Sequence, residues 1–181
     1  MTYTINRKLE ANSYAILKSM IGKKLVSIKH DGDNLDDFVS FVQFDLQDFS
    51  TCLRSFTDVV FFYGTDEDIT TLEMVEGEYN LEQPPLKQFF INKVILNISV
   101  VDYNIHSEHD KGSVYEEHVS GGIVFDLDDG TQLSFERADE FEEMISIKSG
   151  KDLYEFPRMD AYARNFDSHW KVSTIKEVHK V

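Results

Sequence analysis

Leu9, Ile16, Leu17, Met20 and Ile21 fall near one face of a 3.6-residue period, and Gly22 follows where a helix would end. The pattern predicts an N-terminal helix. After it, KKLVSIKH is short, apolar and partly β-branched, as a strand leaving a helix cap should be. FVSFVQFDL continues as a strand, and DFSTCLRSF places Phe49, Cys52, Leu53 and Phe56 at helical spacing, which predicts a second, short helix. DVVFFYGTDEDITTLEMV reads as two β-rich runs around a polar loop, a hairpin.

Beyond Pro84 and Pro85 the order restarts with INKVILNISVVDY, a long strand, and a later hairpin from Ile123 to Glu136. Strand, insertion and hairpin thus occur twice, which suggests duplicated half-units over 22–84 and 91–156 within one domain of 1–181. In ADEFEEMISIKSG, Asp139 and Glu142 stand at capping-box spacing, Phe141, Met144 and Ile145 share a helical face, and Gly150 ends the run, predicting a third helix. HWKVSTIKEV closes the chain as a strand. Strands outnumber helices and hairpins dominate, so the expected class is α+β: a mainly antiparallel β-sheet with an N-terminal helix and one or two further short helices.

Charge changes the picture more than composition does. The net charge is −15, yet residues 1–30 carry +5 and 151–181 carry +1, leaving −21 on the middle of the chain. Nucleic acid and anionic membrane surfaces both ask for cations, so neither is an expected partner. A strong negative field instead steers basic partners. The start of the chain lacks the basic-then-apolar pattern of a secretory signal and Cys52 has no second cysteine to pair with, so the reading is cytoplasmic.

Candidate chemistry centres on GGIVFDLDDGTQLSFER. Its IVFDLDDGT resembles the first motif of the haloacid-dehalogenase superfamily, which implies Asp126 as nucleophile, Asp128 as acid and base, and magnesium as counter-ion. In that family Gly follows the second Asp directly, whereas here Asp129 intervenes. A three-residue Asp128-Asp129-Gly130 loop instead pairs Leu127 with Thr131, Phe125 with Leu133 and Ile123 with Phe135, making one face apolar. A hairpin is the better reading, with Gly130 taking positive φ.

Calcium-loop spacing fails from Asp31, Asp66 and Asp126, because the sixth and twelfth positions lack Gly and an acid. His106, His109, Asp110 and His118 would suit a divalent metal, and a polar inter-strand loop explains them equally. Cys52 reads as core. Tyr154, Phe156, Tyr162, Phe166 and Trp170, mixed with Arg158, Arg164 and Lys171, are interface-type residues or core closers.

The leading expectation is therefore a binding protein and not an enzyme, with neither catalytic residues nor a cofactor. It would dock a basic protein partner through Asp31, Asp33, Asp36, Asp37, Asp66, Glu67, Asp68 and Trp170. An immunity protein neutralising a basic toxin, such as a nuclease, has this character. A metal-dependent hydrolase and a small-ligand module are the competing classes.

Overall fold

The structure is a computed structural model and describes residues 1–62, 64–78, 86–138, 143–154 and 169–181. It contains β1 (Thr2–Arg7), α1 (Ala11–Met20), β2 (Lys24–His30), β3 (Phe38–Val39), β4 (Phe41–Leu46), β5 (Ser50–Phe62), β6 (Thr65–Glu76), β7 (Lys87–His109), β8 (Val114–Leu127), β9 (Gln132–Arg137), β10 (Ile145–Gly150) and β11 (Trp170–Lys180). The strands form one mainly antiparallel sheet of eleven, and α1 is the one helix among the described residues. That helix is not long and apolar enough to cross a membrane.

The pairings close a ring. β4 pairs with β2, β2 with β7, β7 with β8, β8 with β9, β9 with β10 and β10 with β3, which runs through Ser40 into β4. Inward side chains of these strands, among them Leu25, Phe44, Ile95, Phe125 and Phe135, share one buried cluster with Ile16, Leu17 and Met20 of α1. The apolar stripe read from the sequence is thus the face that α1 buries. Gly22 ends it at φ 80, donating its N–H to Ile95 O at 2.8 Å.

Two predicted helices are strands. Phe49 to Phe56 lies mostly in β5, held between β4 and β6, and Thr51, Cys52, Leu53 and Ser55 are all buried. Helical spacing there is incidental: consecutive Thr51, Cys52 and Leu53 are all buried, so both faces of this part of the strand are covered and its apolar positions lose the period of two. Residues 145–150 form β10 between β9 and β3, with Ile145 and Ile147 buried two apart. The Asp139–Glu142 capping signal, Pro84, Pro85, Phe156, Arg158, Tyr162, Arg164 and Phe166 fall outside the described residues.

The hairpin at Asp128-Asp129-Gly130 has the expected register. Phe125 pairs with Leu133, Ile123 with Phe135 and Asp126 with Gln132, Leu127 donates its N–H to Thr131 O, and Gly130 has φ 80. The two half-units each hold a four-stranded antiparallel run and meet where β2 pairs with β7. However, β7 and β8 have 23 and 14 residues against 7 and 6 in β2 and β4, and this order does not establish a duplication.

The long β7–β8 pair extends beyond the ring, where β11 joins β7 and β1 joins β8 in parallel. The outer edge of β6 is occupied by side chains: Met74 donates its N–H to Ser13 Oγ of α1 at 3.0 Å, and Thr70 O accepts from Arg7 and Arg137. Such cover blunts an edge that would otherwise template pairing with another chain. It also draws the β5–β6 hairpin over the extension, where Ile69 joins Ile5 and Tyr115 in a small buried cluster.

Candidate functional site

The acids expected to meet a partner divide between two places. Asp31, Asp33, Asp36 and Asp37 lie in the loop from β2 to β3, which is folded around buried His30. The ring stacks on Phe89 at 4.6 Å, and its Nδ1 accepts the Gly32 N–H at 3.1 Å. Asp37 accepts the N–H groups of Asp33, Asn34 and Phe38, Asp31 accepts from the N–H and hydroxyl of Ser40, and Asp33 pairs with Lys87. Asp36 is exposed. Asp31 and Asp37 therefore organise the turn from β2 into β4, a use that Asp and Asn commonly serve, while Asp33 ties it to β7.

This loop makes stability depend on pH. Burial pushes the His30 imidazole below its ordinary range, against the opposing pull of Asp31 and Asp37. A depressed folded value means that the unfolded chain binds more protons below about pH 6.5, so the contribution of His30 is complete above that pH and lost as pH falls through the folded value. The N–H groups of Phe38, Asp33 and Asn34 hold Asp37 below the usual carboxylate range, which adds a loss of the same sign in stronger acid. Urea unfolding between about pH 7 and about pH 5 should show a steeper loss in the wild type than in His30→Asn. Equal slopes would clear His30 of the effect.

Asp66, Glu67 and Asp68 lie instead on β6, opposite the far end of β5. Asp66 pairs with Phe61, Glu67 with Val60 and Asp68 with Val59. Opposed residues in a ladder share a face, so acids and apolar groups alternate on one surface, where Val59 is 64% and Phe61 43% exposed. From Phe61 a row of rings runs across the extension. Phe61 meets Tyr3 at 5.2 Å, Tyr3 stacks on Tyr115 at 4.8 Å and 18°, Tyr115 meets Trp170 at 5.8 Å, and Trp170 takes the edge of His109 at 4.6 Å. Ile5 and Ile69 are buried against the row, and burial together with the neighbouring Tyr3 raises the Tyr115 phenol.

Asp66 and Asp68 thus stand with exposed Val59 and Phe61 at one end of the row, Trp170 packs at the other end against the buried Ile5, Ile69 and Tyr115, and the 31–37 loop belongs to neither. Tyr3, Phe61, Tyr115 and His109 were missed as members of the row. The alternation Thr2-Tyr3-Thr4-Ile5-Asn6-Arg7 was a signal for β1, but its pairing with β8 spans more than a hundred residues and has no trace in either segment alone.

The other candidates have internal partners. Asp126 accepts from Gln132 Nε2 at 2.7 Å and from the Tyr154 hydroxyl, and the Lys93 ammonium holds the Asp129 carboxyl well below the usual range. Asp128 donates its N–H to Val94 O, and the chain then enters β9, a strand. His106 bonds Glu116 at 2.6 Å and His118 bonds Asn104 at 2.7 Å, each across the β7–β8 ladder. Among the described residues, no three His, Cys, Asp or Glu side chains converge as a metal site requires. Cys52 is buried, its Sγ 3.4 Å from Gly77 O.

With Tyr115 only 3% exposed, the open part of the row is its Phe61 end beside Val59, Asp66 and Asp68. Tyr, Trp and Phe offer large rigid area at low entropic cost, and flanking carboxylates select cations. No family model matches this chain, and no curated protein or solved structure shows significant similarity to it.

Proposed function

We propose that the chain is an acidic protein-binding protein whose Phe61-to-Trp170 row docks a basic protein in the cytoplasm, in the manner of an immunity protein that neutralises a cationic toxin such as a nuclease. The observation that carries this reading is the pairing of exposed Val59 and Phe61 with Asp68 and Asp66 at the head of the row. Apolar area next to carboxylates suits Lys and Arg, whose alkyl stems lie on the rings while their charged heads meet the acids. The net charge of −15 speeds the encounter.

The test starts from a partner captured from the native host, identified and then produced separately. Its affinity for the wild type should fall at least tenfold from about 50 mM to about 500 mM salt, since association depends on steering. Phe61→Ser should weaken the complex by about tenfold or more through faster dissociation. Replacing Asp66 and Asp68 by Asn should mainly slow association and flatten the salt dependence. An acidic partner, or a complex indifferent to both salt and Phe61→Ser, would overturn the proposal.

A further inference from the structure

We infer that the chain pairs with a second copy of itself along the outer edge of β11. This strand is 11 residues long, and among the described residues its ladder is with β7 alone, in an unbroken register from Trp170 opposite His109 to Lys180 opposite Ser99. Asp110 donates its N–H to His169 O and Val181 donates its own to Ile98 O, so the odd-numbered residues are the ones that bond to β7. The backbone groups of Val172, Thr174, Lys176, Val178 and Lys180 therefore point to the outer edge, and among the described residues none of them has a hydrogen-bond partner there. Ile175 and Val178 are 63% and 48% exposed beside them. A long strand edge of this kind is a template for pairing with another chain, whereas the outer edge of β6 is already taken by side chains of α1, β1 and β9.

Self-complementarity names the occupant. Two antiparallel edges related by a two-fold axis pair about one central residue, which allows the centres to be compared. Centring on Lys176 sets lysine against lysine, and centring on Ile175 sets Lys171 against His179. Centring on Thr174 sets Lys171 opposite Glu177 of the second copy, and the symmetry makes this ion pair twice. Both are odd-numbered, so they meet at non-hydrogen-bonded positions, where opposed side chains approach most closely. The same register sets Val178 opposite Trp170, Lys176 opposite Val172, and the two Ile175 side chains within diagonal reach.

Charge favours this edge. The whole chain carries −15, yet residues 169–181 hold Lys171, Lys176 and Lys180 against Glu177 alone, so two acidic molecules can meet here without bringing acid against acid. Lysines on an edge ordinarily deter pairing, but here Lys171 gains a carboxylate and Lys176 an apolar neighbour. A uniformly acidic peptide would instead be opposed by Glu177. The pairing is independent of the docking reading, because Phe61 packs on Tyr3 of β1, at the opposite edge of the β11–β7–β8–β1 run.

Sedimentation equilibrium of the full chain at about 100 μM should give about twice the monomer mass of 21.0 kDa, falling toward it on dilution. Lys176→Pro removes an N–H that β7 does not use, a change an edge strand tolerates, and should leave a monomer at the same concentration with an unchanged far-UV spectrum. Lys171→Glu and Glu177→Lys should each weaken association by about fivefold, and the two combined should restore it. This charge series decides the matter if the proline variant has an altered spectrum. A wild type that stays monomeric at about 100 μM would overturn the inference, as would a dimer that survives Lys176→Pro with its fold intact or charge variants whose effects add instead of cancelling. A monomer whose Thr174 and Lys176 amides gain hydrogen-exchange protection only from a different protein would give the edge to that protein and equally overturn it. Each of these results leaves the test with salt and Phe61→Ser to judge docking by itself.

Discussion

Replacing Arg7 by methionine is expected to lower the unfolding free energy by about 3–5 kcal/mol, because it strands a carboxylate in the interior. Arg7 and Glu117 are 3% and 0% exposed and form a direct ion pair. The pair fastens three elements: Glu117 stands on β8 opposite Ile5 of β1, and the second Arg7 nitrogen donates to Thr70 O on the edge of β6. A lone buried charge costs far more than the pair contributes, so Arg7→Met combined with Glu117→Gln should recover much of the loss. Lys23 and Asp48 offer the contrast, since both are about half exposed, and Lys23→Ala should cost at most about 1 kcal/mol. Urea unfolding of the three variants beside the wild type measures all of this. A single-variant loss under 1 kcal/mol would mean that water reaches Glu117 in place of the guanidinium.

The same charge pair marks the limit of what the sequence discloses. Arg7 follows Tyr3 and Ile5 at period two and Glu117 lies between Tyr115 and Val119, so alternation sets both on apolar faces, but nothing local tells that they meet. Contacts within a hairpin were legible: Phe125 with Leu133 and Ile123 with Phe135 followed from matching faces across a three-residue loop, and Gly130 supplied the left-handed turn. Legibility fell where both faces of a strand are covered. Thr51, Cys52 and Leu53 of β5 and Ile145, Ser146 and Ile147 of β10 are buried in succession, which erases alternation, and in β5 coincidental helical spacing at Phe49, Cys52 and Leu53 takes its place. The candidate site was half legible for a related reason. Asp66, Asp68 and Trp170 were chosen for charge and residue type, while the rings joining them come from β1, β5, β7 and β8 and meet only once the parallel β1–β8 pair and the β5–β6 hairpin are in place.

Phe135→Ala should be as costly as the loss of Arg7, about 3–5 kcal/mol, by a different route. Phe135 is fully buried and closes a triangle of rings, meeting Phe44 at 5.0 Å edge-on and Phe125 at 5.1 Å, with Phe44 and Phe125 5.3 Å apart. These side chains come from β9, β4 and β8, so the triangle spans the ring formed by the strands. Truncation removes apolar area and leaves a cavity that hydrogen-bonded strands on every side cannot collapse to fill, which places the expected loss at the upper end for a core substitution. Phe90, on β7 and 69% exposed, provides the control: Phe90→Ala should change stability by no more than about 0.5 kcal/mol. The two losses should also differ in salt. The Phe135 deficit arises from packing and should be indifferent to ionic strength, and a deficit that shrank with added salt would show that the strand ring is held by charge and not by its core.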